Sequence, residues 1–217
     1  MAKSRPYVIL SAAMSLDGKI ATRSGDSKLS SKRDLVRVHK LRSTVDAILV
    51  GRRTAMVDDP SLTVKYVKGK NPIRIILDSR ASIKSNSKIV QTSKSVPTII
   101  AVSEKISEKN LARLQRYGLE VIKCGKNKIN LRKLLLILRK KNIKKLLVEG
   151  GGTTNWSFFS EGLFDEVIIT LTPYIIGGKD AISLVQGRGF DKISRAYCIT
   201  LKDVHRMKDE LVLHYVV

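Results

Sequence analysis

The sequence predicts an α/β fold in which a mostly parallel central sheet has antiparallel strands at its C-terminal edge. Apolar runs rich in β-branched residues recur along the chain, and helical patterns lie between them through about residue 165. Several runs are apolar without alternation, which is typical of parallel strands covered on both faces. After residue 165 the helical patterns become sparse and two long β runs remain, which we expect to add antiparallel strands at one edge.

Each element is justified by its own pattern. We expect strands at 7–14, 47–51, 73–78, 98–102, 120–124, 145–150, 166–176 and 210–217. Apolar residues spaced by three and four predict a helix over 31–45. The segment 107–118 has Ser107 as N-cap and Gly118 as the glycine after the helix, and Asn130 caps a helix over 130–142. A last helix is expected over 154–165.

Length and composition indicate one intracellular domain over residues 1–217. The chain is 43% apolar, and no linker, repeat or low-complexity block interrupts it. No apolar run approaches the roughly 18 residues that span a bilayer, and no targeting segment is expected, which favours the cytoplasm. Cys124 and Cys198 form no CxxC pair and the three histidines are scattered, so we expect no metal site and no disulfide.

A formal net charge of +22 is the largest compositional signal, from 41 Lys and Arg against 19 Asp and Glu. Such an excess suits nucleic acid or a small polyanionic ligand. Aromatic residues are only 5% of the chain and none interleaves with a basic run, as a single-strand binding surface would require. We therefore do not expect nucleic-acid binding to be the main function.

Three consecutive glycines follow the apolar run that ends at Glu149. Gly150, Gly151 and Gly152 have no Cβ, so a ligand could lie against bare main chain. The next helix is expected to begin near Thr153 or Thr154, and its free N–H groups would face that ligand. The segment predicts a phosphate-binding turn without the GxGxxG pattern, and a plain tight turn is the alternative.

Polar residues follow two other predicted strands. Ser79 and Arg80 come after the run at 73–78, and an arginine beside a hydroxyl suits a ribose 2′-phosphate. After the run at 47–51, Thr54 could cap a short helix, and Asp58 and Asp59 precede a proline. Such an acid pair is typical of a turn, but it could also bind ribose hydroxyls or donate a proton.

The motifs MSLDGKIA, GRRTAMVDDPSLTV, PIRIILDS and LLVEGGGTTNWSFF, with the later TPYIIGGKDA, resemble one family in order and spacing. It is the reductase family of riboflavin biosynthesis, which includes stand-alone archaeal and fungal enzymes and the C-terminal half of the bacterial deaminase-reductase. The resemblance covers the chain from about Arg5 to Val217. It implies a three-layer fold similar to dihydrofolate reductase, the cofactor NADPH (with NADH as the alternative) and a homodimer.

The resemblance also implies roles for individual residues. Positions expected to contact the cofactor are Ala13, Thr54, Asp58, Ser79, Arg80, Ala81, Ser82, Gly150, Gly151, Gly152 and Thr153. Positions expected to line the substrate pocket are Ser27, Arg42, Leu62, Lys65 and Glu149. Asp58 and Glu149 are the candidate catalytic acids. Lys65 stands where bacterial members have arginine, which retains a phosphate contact but not bidentate geometry.

The implied substrate is 2,5-diamino-6-ribosylamino-4(3H)-pyrimidinone 5′-phosphate, whose ribosyl side chain would be reduced to the ribityl form. The chain has neither the H-x-E nor the P-C-x-x-C motif of a zinc deaminase, so we expect reduction before deamination. Three other interpretations stay open: a reductase of the deaminated pyrimidine or of another pteridine or folate, a basic nucleic-acid-binding protein, and a non-enzymatic nucleotide sensor.

Overall fold

The computed structural model describes residues 4–217, which divide into two units. Unit 1 contains residues 4–7 and His39–Leu147, and unit 2 contains Val8–Val38 and Val148–Val217. Each unit therefore combines segments that are far apart in the sequence. One domain over residues 1–217 stays a prediction.

The strands are β1 (Tyr7–Met14), β2 (Lys19–Ala21), β3 (Ala47–Gly51), β4 (Ile73–Leu77), β5 (Thr98–Val102), β6 (Glu120–Lys123), β7 (Lys145–Val148), β8 (Glu166–Leu171), β9 (Ile182–Ser183), β10 (Thr200–Met207) and β11 (Glu210–Val216). The helices are α1 (Lys32–Ser43), α2 (Arg52–Val57), α3 (Lys88–Gln91), α4 (Glu108–Arg116), α5 (Leu131–Lys140) and α6 (Gly152–Ser160), with a short 3₁₀ turn at Ile193–Arg195. None of the helices within residues 4–217 combines the length and the apolar composition needed to cross a bilayer.

Unit 1 is built on a parallel sheet. β3 pairs with β4, β4 with β5, and β5 with β6, all in parallel. Every residue of β3 and β5 is buried, which confirms the expectation from their continuous apolar sequence. The predicted caps are also confirmed: the Ser107 side chain accepts a hydrogen bond from the Asn110 N–H and the Asn130 side chain from the Lys133 N–H.

Unit 2 has the mixed sheet, with strand order β10-β11-β8-β1. β8 pairs in parallel with β1, whereas β11 pairs antiparallel with β8 and β10 antiparallel with β11. The predicted antiparallel edge is confirmed for β11. The run 166–176 contributes β8, which pairs antiparallel with β11 but parallel with β1. Its predicted end at residue 176 is wrong, because β8 ends at Leu171, two residues before Pro173.

Several elements differ from the sequence expectation. β10 was not predicted, because TLKDVHRM is mostly charged or polar and no side chain of Thr200–Arg206 is buried. The helix expected over 154–165 begins earlier, with Gly151 as N-cap and no side-chain cap. The short elements α3, β2 and β9 were also missed, since two to four residues carry too little periodicity to recognise.

Arg74 is the largest fully buried side chain of unit 1. Its Nε donates to Thr98 Oγ1 at 2.9 Å, and its terminal nitrogens donate to Thr92 Oγ1 at 2.8 Å and to three main-chain carbonyls. Those carbonyls belong to Ser61, Ile89 and Val96, at 3.3, 3.0 and 3.0 Å. Burial lowers the pKa of Arg74 to about 10, so the guanidinium stays charged at neutral pH. One side chain thus connects β4 to the loop at Ser61 and to the segment 89–98.

We expect Arg74→Met to lower the free energy of unfolding by about 3–5 kcal/mol, because buried carbonyl groups would lose their donors. Urea denaturation followed by circular dichroism measures this change. Arg116→Met is the matched control: Arg116 is exposed in the same unit, and its replacement should change stability by less than about 0.5 kcal/mol. Equal effects of the two substitutions would contradict a structural role for the buried guanidinium.

Candidate functional site

In unit 1, the segments that follow β3 and β4 leave the sheet at the same edge. The parallel register places Gly51 opposite Leu77, the last residues of the two strands. The carboxyl ends of parallel strands are where α/β proteins bind ligands. Thr54 lies inside α2, whose N-cap is Gly51, so the expectation that Thr54 caps this helix is wrong.

The acid pair at the end of α2 has two different environments. Asp58 is the C-cap of α2, its N–H donates to the Thr54 carbonyl at 3.0 Å, and its side chain is exposed. Asp59 accepts a hydrogen bond from the Lys88 N–H at 2.8 Å and contacts the Lys88 ammonium at 3.8 Å. Asp59 therefore holds the start of α3.

The loop after the acid pair has an unusual backbone. Asp59 and Leu62 have φ of 40° and 52°, in the left-handed region that residues with a side chain rarely adopt. Leu62 is only 2% exposed, so its side chain lies in the core of the unit while its main chain turns. Strain of this kind concentrates at functional sites, which agrees with the role predicted for this loop.

His39 positions the loop that carries Lys65. Its Nδ1 accepts a hydrogen bond from the Lys65 N–H at 2.8 Å, and its ring packs edge-on against Tyr66 at 4.6 Å between centroids. Arg42 Nη1 donates to the Thr63 carbonyl at 3.2 Å. The structure thus brings together two predicted substrate residues, Arg42 and Lys65, around a buried histidine. The sequence had not indicated this contact, because His39 and Lys65 lie 26 residues apart.

Hydrogen bonds fix the main chain of the turn at 79–82. The Asp78 carboxylate is fully buried and accepts hydrogen bonds from the Ser82 hydroxyl and from the Ile83 N–H at 2.7 Å. Ser103 donates twice to the Ser79 carbonyl, and Ala81 is buried with φ of 54°.

Two side chains of α4 hold the same turn. The Asn110 amide donates to the Arg80 carbonyl at 2.9 Å, and Arg113 donates to the Ala81 carbonyl at 2.6 Å. The Arg80 side chain is exposed. The main chain of the turn is therefore fixed while the Arg80 guanidinium faces outward. Arg113 was not predicted, since only its place in the fold brings it to this turn.

Unit 2 contains two further predicted site residues, Ala13 and Ser27, which precede the three consecutive glycines by more than 100 residues in the sequence. Ala13 is half-buried in β1 and pairs with Thr170 of β8. Ser27 is exposed in the loop before α1, and its carbonyl accepts from the Leu29 N–H at 2.8 Å. Leu29 is 7% exposed and lines a cavity of about 350 Å³ with the first residues of α1 and the β10–β11 turn.

The glycine turn, defined as Glu149–Thr153, joins β7 to α6. Glu149 and Gly151 are half-buried and Thr153 is exposed. Gly150 has φ of +79°, which a residue with a side chain rarely adopts. α6 begins at Gly152, so the first turn of the helix includes Gly152 together with Thr153 and Thr154.

Two glycines of this turn contact other parts of unit 2. A Cβ on Gly152 would stand 2.5 Å from the Ser183 carbonyl oxygen and 3.2 Å from the Gln186 side chain. The chain itself therefore fills that side of Gly152. A Cβ on Gly150 would stand 3.3 Å from Asn155 Oδ1. Asn155 is 3% exposed, and Oδ1 has no hydrogen-bond partner among residues 4–217, whereas Nδ2 donates to the Leu184 carbonyl at 2.8 Å.

Neither cysteine lies in the loops and turns that carry the predicted site residues. Cys124 follows β6, is fully buried, and its burial raises the pKa of the thiol to about 11. Cys198 is exposed. Within residues 4–217, no group of three or more His, Cys, Asp or Glu side chains is arranged to hold a metal ion.

Comparison with known proteins identifies the family of this chain. The sequence matches the family model of the RibD C-terminal domain over residues 6–213. The chain belongs to the RibD C-terminal domain family. The family predicted from the motifs is thus confirmed.

Relatives with named activities include two of similar length. The chain is 42% identical to the 2,5-diamino-6-ribosylamino-4(3H)-pyrimidinone 5′-phosphate reductase of Methanothermobacter thermautotrophicus, over 98% of this chain and 99% of the relative. It is 38% identical to the reductase of the same name from Aquifex aeolicus, over 91% and 90%. It is 35% identical to the riboflavin biosynthesis protein RibD of Actinobacillus pleuropneumoniae, over 98% of this chain and 57% of that protein.

Solved structures of this family share the fold. Acinetobacter baumannii RibD superposes with a TM-score of 0.85 at 26% identity, over 100% of this chain and 59% of that one. This chain therefore spans little more than half the length of that RibD. The riboflavin biosynthesis reductase Rib7 of Saccharomyces cerevisiae has a TM-score of 0.75 at 22% identity, over 100% and 91%. The predicted α/β class is confirmed by these neighbours.

Proposed function

We propose that this RibD C-terminal domain protein is an NADPH-dependent reductase of 2,5-diamino-6-ribosylamino-4(3H)-pyrimidinone 5′-phosphate that forms the ribitylamino product. The observation that carries the proposal is the 42% identity to a reductase of that name along 99% of its length. The segments that hold the predicted site residues lie at the carboxyl ends of parallel strands within unit 1, which supports the same function.

The residues present fit a dinucleotide phosphate. The glycine turn leads into the N-terminus of a nine-residue helix, and Gly150 has a φ that a residue with a side chain rarely adopts. The buried Asn155 Oδ1 behind Gly150 lacks a donor among the described residues, but as an acceptor it does not itself favour a phosphate. The exposed Arg80 guanidinium, on a turn held by Ser103 and Asn110, suits a ribose 2′-phosphate. Thr54 and Ala13 complete the proposed cofactor contacts.

The proposed substrate contacts are Arg42, Lys65, Leu62, Ser27 and Glu149. Arg42 and Lys65 would hold the 5′-phosphate or the ribose. Their positions are fixed by the hydrogen bonds of the Arg42 guanidinium to the Thr63 carbonyl and of the Lys65 N–H to His39. Glu149 would accept hydrogen bonds from the amino groups of the pyrimidine or from a sugar hydroxyl.

The proposed reduction requires that the substrate be oriented toward the cofactor and that one proton be transferred to it. When bound, NADPH supplies the hydride that reduces C1′ of the opened sugar imine. The chain contributes the placement of the sugar by Arg42 and Lys65 and a carboxyl group for proton transfer, for which Asp58 and Glu149 are the candidates. Asp58 is exposed, so a substrate could reach its carboxyl group.

The proposed function is tested by the loss of absorbance of the reduced cofactor with the ribosylamino-pyrimidine phosphate as substrate. We expect turnover with this compound and slower turnover with its deaminated form. Equal or faster turnover of the deaminated compound would reassign the substrate. Absence of oxidation with both compounds, despite cofactor binding, would favour a nucleotide sensor.

In the same assay, we expect Asp58→Asn to lower kcat by about 100-fold or more, which is typical for the loss of a proton-transfer group. The melting temperature should stay close to that of the wild type because Asp58 is exposed. A kcat within about threefold of the wild type would assign the proton transfer to another group.

Arg80→Ala tests the choice between NADPH and NADH. If Arg80 binds the 2′-phosphate, KM for NADPH should rise about 10- to 100-fold, the effect of losing a charged hydrogen bond, while KM for NADH stays nearly constant. Lys84→Ala is the control, since Lys84 is an exposed cation just beyond the same turn. A parallel rise of KM for both dinucleotides would contradict a 2′-phosphate contact.

We further propose that the protein forms a homodimer through the β10 edge. β10 lies at the end of the strand order in unit 2, and Leu201 and Val204 on it are 49% and 46% exposed. An edge strand with exposed apolar side chains is a surface for pairing with another chain, and a second copy is the occupant proposed here. Sedimentation velocity should show a dimer that Val204→Lys dissociates; a wild-type monomer at micromolar concentration would contradict the proposal.

A further inference from the structure

A single segment of unit 2 connects the turn after β1 to the glycine turn. This segment, here called the strap, comprises Pro173–Gln186 and includes β9. We propose that Asp17 is a positioning residue that acts through the strap to place the glycine turn for cofactor binding. The inference rests on the proposed function, because it concerns the cofactor contacts of that turn.

The Asp17 carboxylate forms hydrogen bonds with the first part of the strap. Its Oδ1 accepts hydrogen bonds from the Ser15 hydroxyl at 2.7 Å and from the Ile176 N–H at 3.0 Å, and its Oδ2 accepts from the Gly177 N–H at 2.7 Å. The Ser15 hydroxyl, followed by the two N–H groups, lowers the pKa of Asp17 to about 2. The carboxylate is therefore ionised throughout the neutral pH range.

Neighbouring residues of the same turn hold other points of the strap. The Leu16 N–H donates to the Tyr174 carbonyl at 2.8 Å, and the Leu184 N–H donates to the Gly18 carbonyl at 3.0 Å. β2 pairs antiparallel with β9, and the Lys19 ammonium donates to the Ser183 hydroxyl at 3.1 Å. The strap thus follows the main chain of residues 16–21 at both of its ends.

The far end of the strap contacts the glycine turn directly. The Gln186 N–H donates to the Gly152 carbonyl at 3.0 Å, and the Asn155 amide of α6 donates to the Leu184 carbonyl at 2.8 Å. The Ser183 carbonyl oxygen lies only 2.5 Å from the position that a Cβ of Gly152 would take. The position of the strap therefore determines where the first turn of α6 lies.

These contacts form a sequence of short steps from Asp17 to the proposed phosphate-binding N–H groups. Loss of the carboxylate would leave the Ile176 and Gly177 N–H groups without their acceptor, next to two glycines with φ of +65° and +81°. Glycine residues permit a change of backbone angles at low energy. We expect the strap to shift in consequence and the glycine turn to lose its fixed position.

The experiment compares Asp17→Ala, Asp17→Asn and the control Asp180→Ala, because Asp180 is an exposed carboxylate within the strap itself. In ligand-free protein, Asp17→Ala should raise amide hydrogen exchange over residues 174–186, whereas Asp180→Ala should not. The dissociation constant for NADPH, measured by fluorescence without substrate, should rise about tenfold, the size expected for a charged hydrogen bond. KM for NADPH should rise equally, with kcat within about threefold of the wild type.

Asp17→Asn retains one acceptor oxygen and should restore part of the affinity at every pH between 6 and 8. Faster exchange in the strap of Asp17→Ala with unchanged NADPH affinity would show a role in stability alone and contradict the inference. Unchanged exchange would show that Asp17 does not hold the strap. If the wild-type protein binds neither dinucleotide, the proposed function fails, whereas wild-type binding that is equal in Asp17→Ala overturns only the positioning role.

Discussion

Parallel strand pairing is the constraint on which the rest of the structure depends. In unit 1 it brings the ends of β3, β4 and β5 to one edge, and in unit 2 the pairing of β1 with β8 does the same for the segments after Met14 and Leu171. The segments that begin there carry the residues discussed above. A chain with continuous apolar strands has little choice in this placement, because both sheet faces must be covered and only the strand ends are left for polar groups.

Aspartates hold these segments through main-chain N–H groups. Asp78 accepts from Ile83, Asp59 from Lys88, and Asp17 from Ile176 and Gly177. A carboxylate that accepts hydrogen bonds from the backbone fixes a loop without covering its outer surface. This use of acids explains how loops can be fixed while the side chains of residues such as Arg80 and Asp58 stay exposed.

The positive charge is concentrated partly in one interval of unit 1 that contains no acidic residue. No Asp or Glu occurs between Glu120 and Glu149, and in that interval α5 buries Leu131, Leu134, Leu135 and Leu138 while its lysines face solvent. The excess of cations therefore lies partly on helix and turn surfaces of unit 1 as well as near the proposed phosphate contacts. Electrostatic attraction of two phosphorylated ligands accounts for part of the charge.

By itself the sequence determined the features that depend on near neighbours along the chain: the continuous apolar strands, the caps at Ser107 and Asn130, and the motifs that identified the family. A cap requires only a side chain and an N–H three residues later, so local spacing is sufficient. Tertiary structure alone decided the parallel direction of β8, the existence of the polar strand β10, the contact of His39 with Lys65 and the packing of Ser183 against Gly152. These features join residues 26 or more positions apart, or depend on which edge of a sheet stays exposed, and periodicity within one segment holds no information about either.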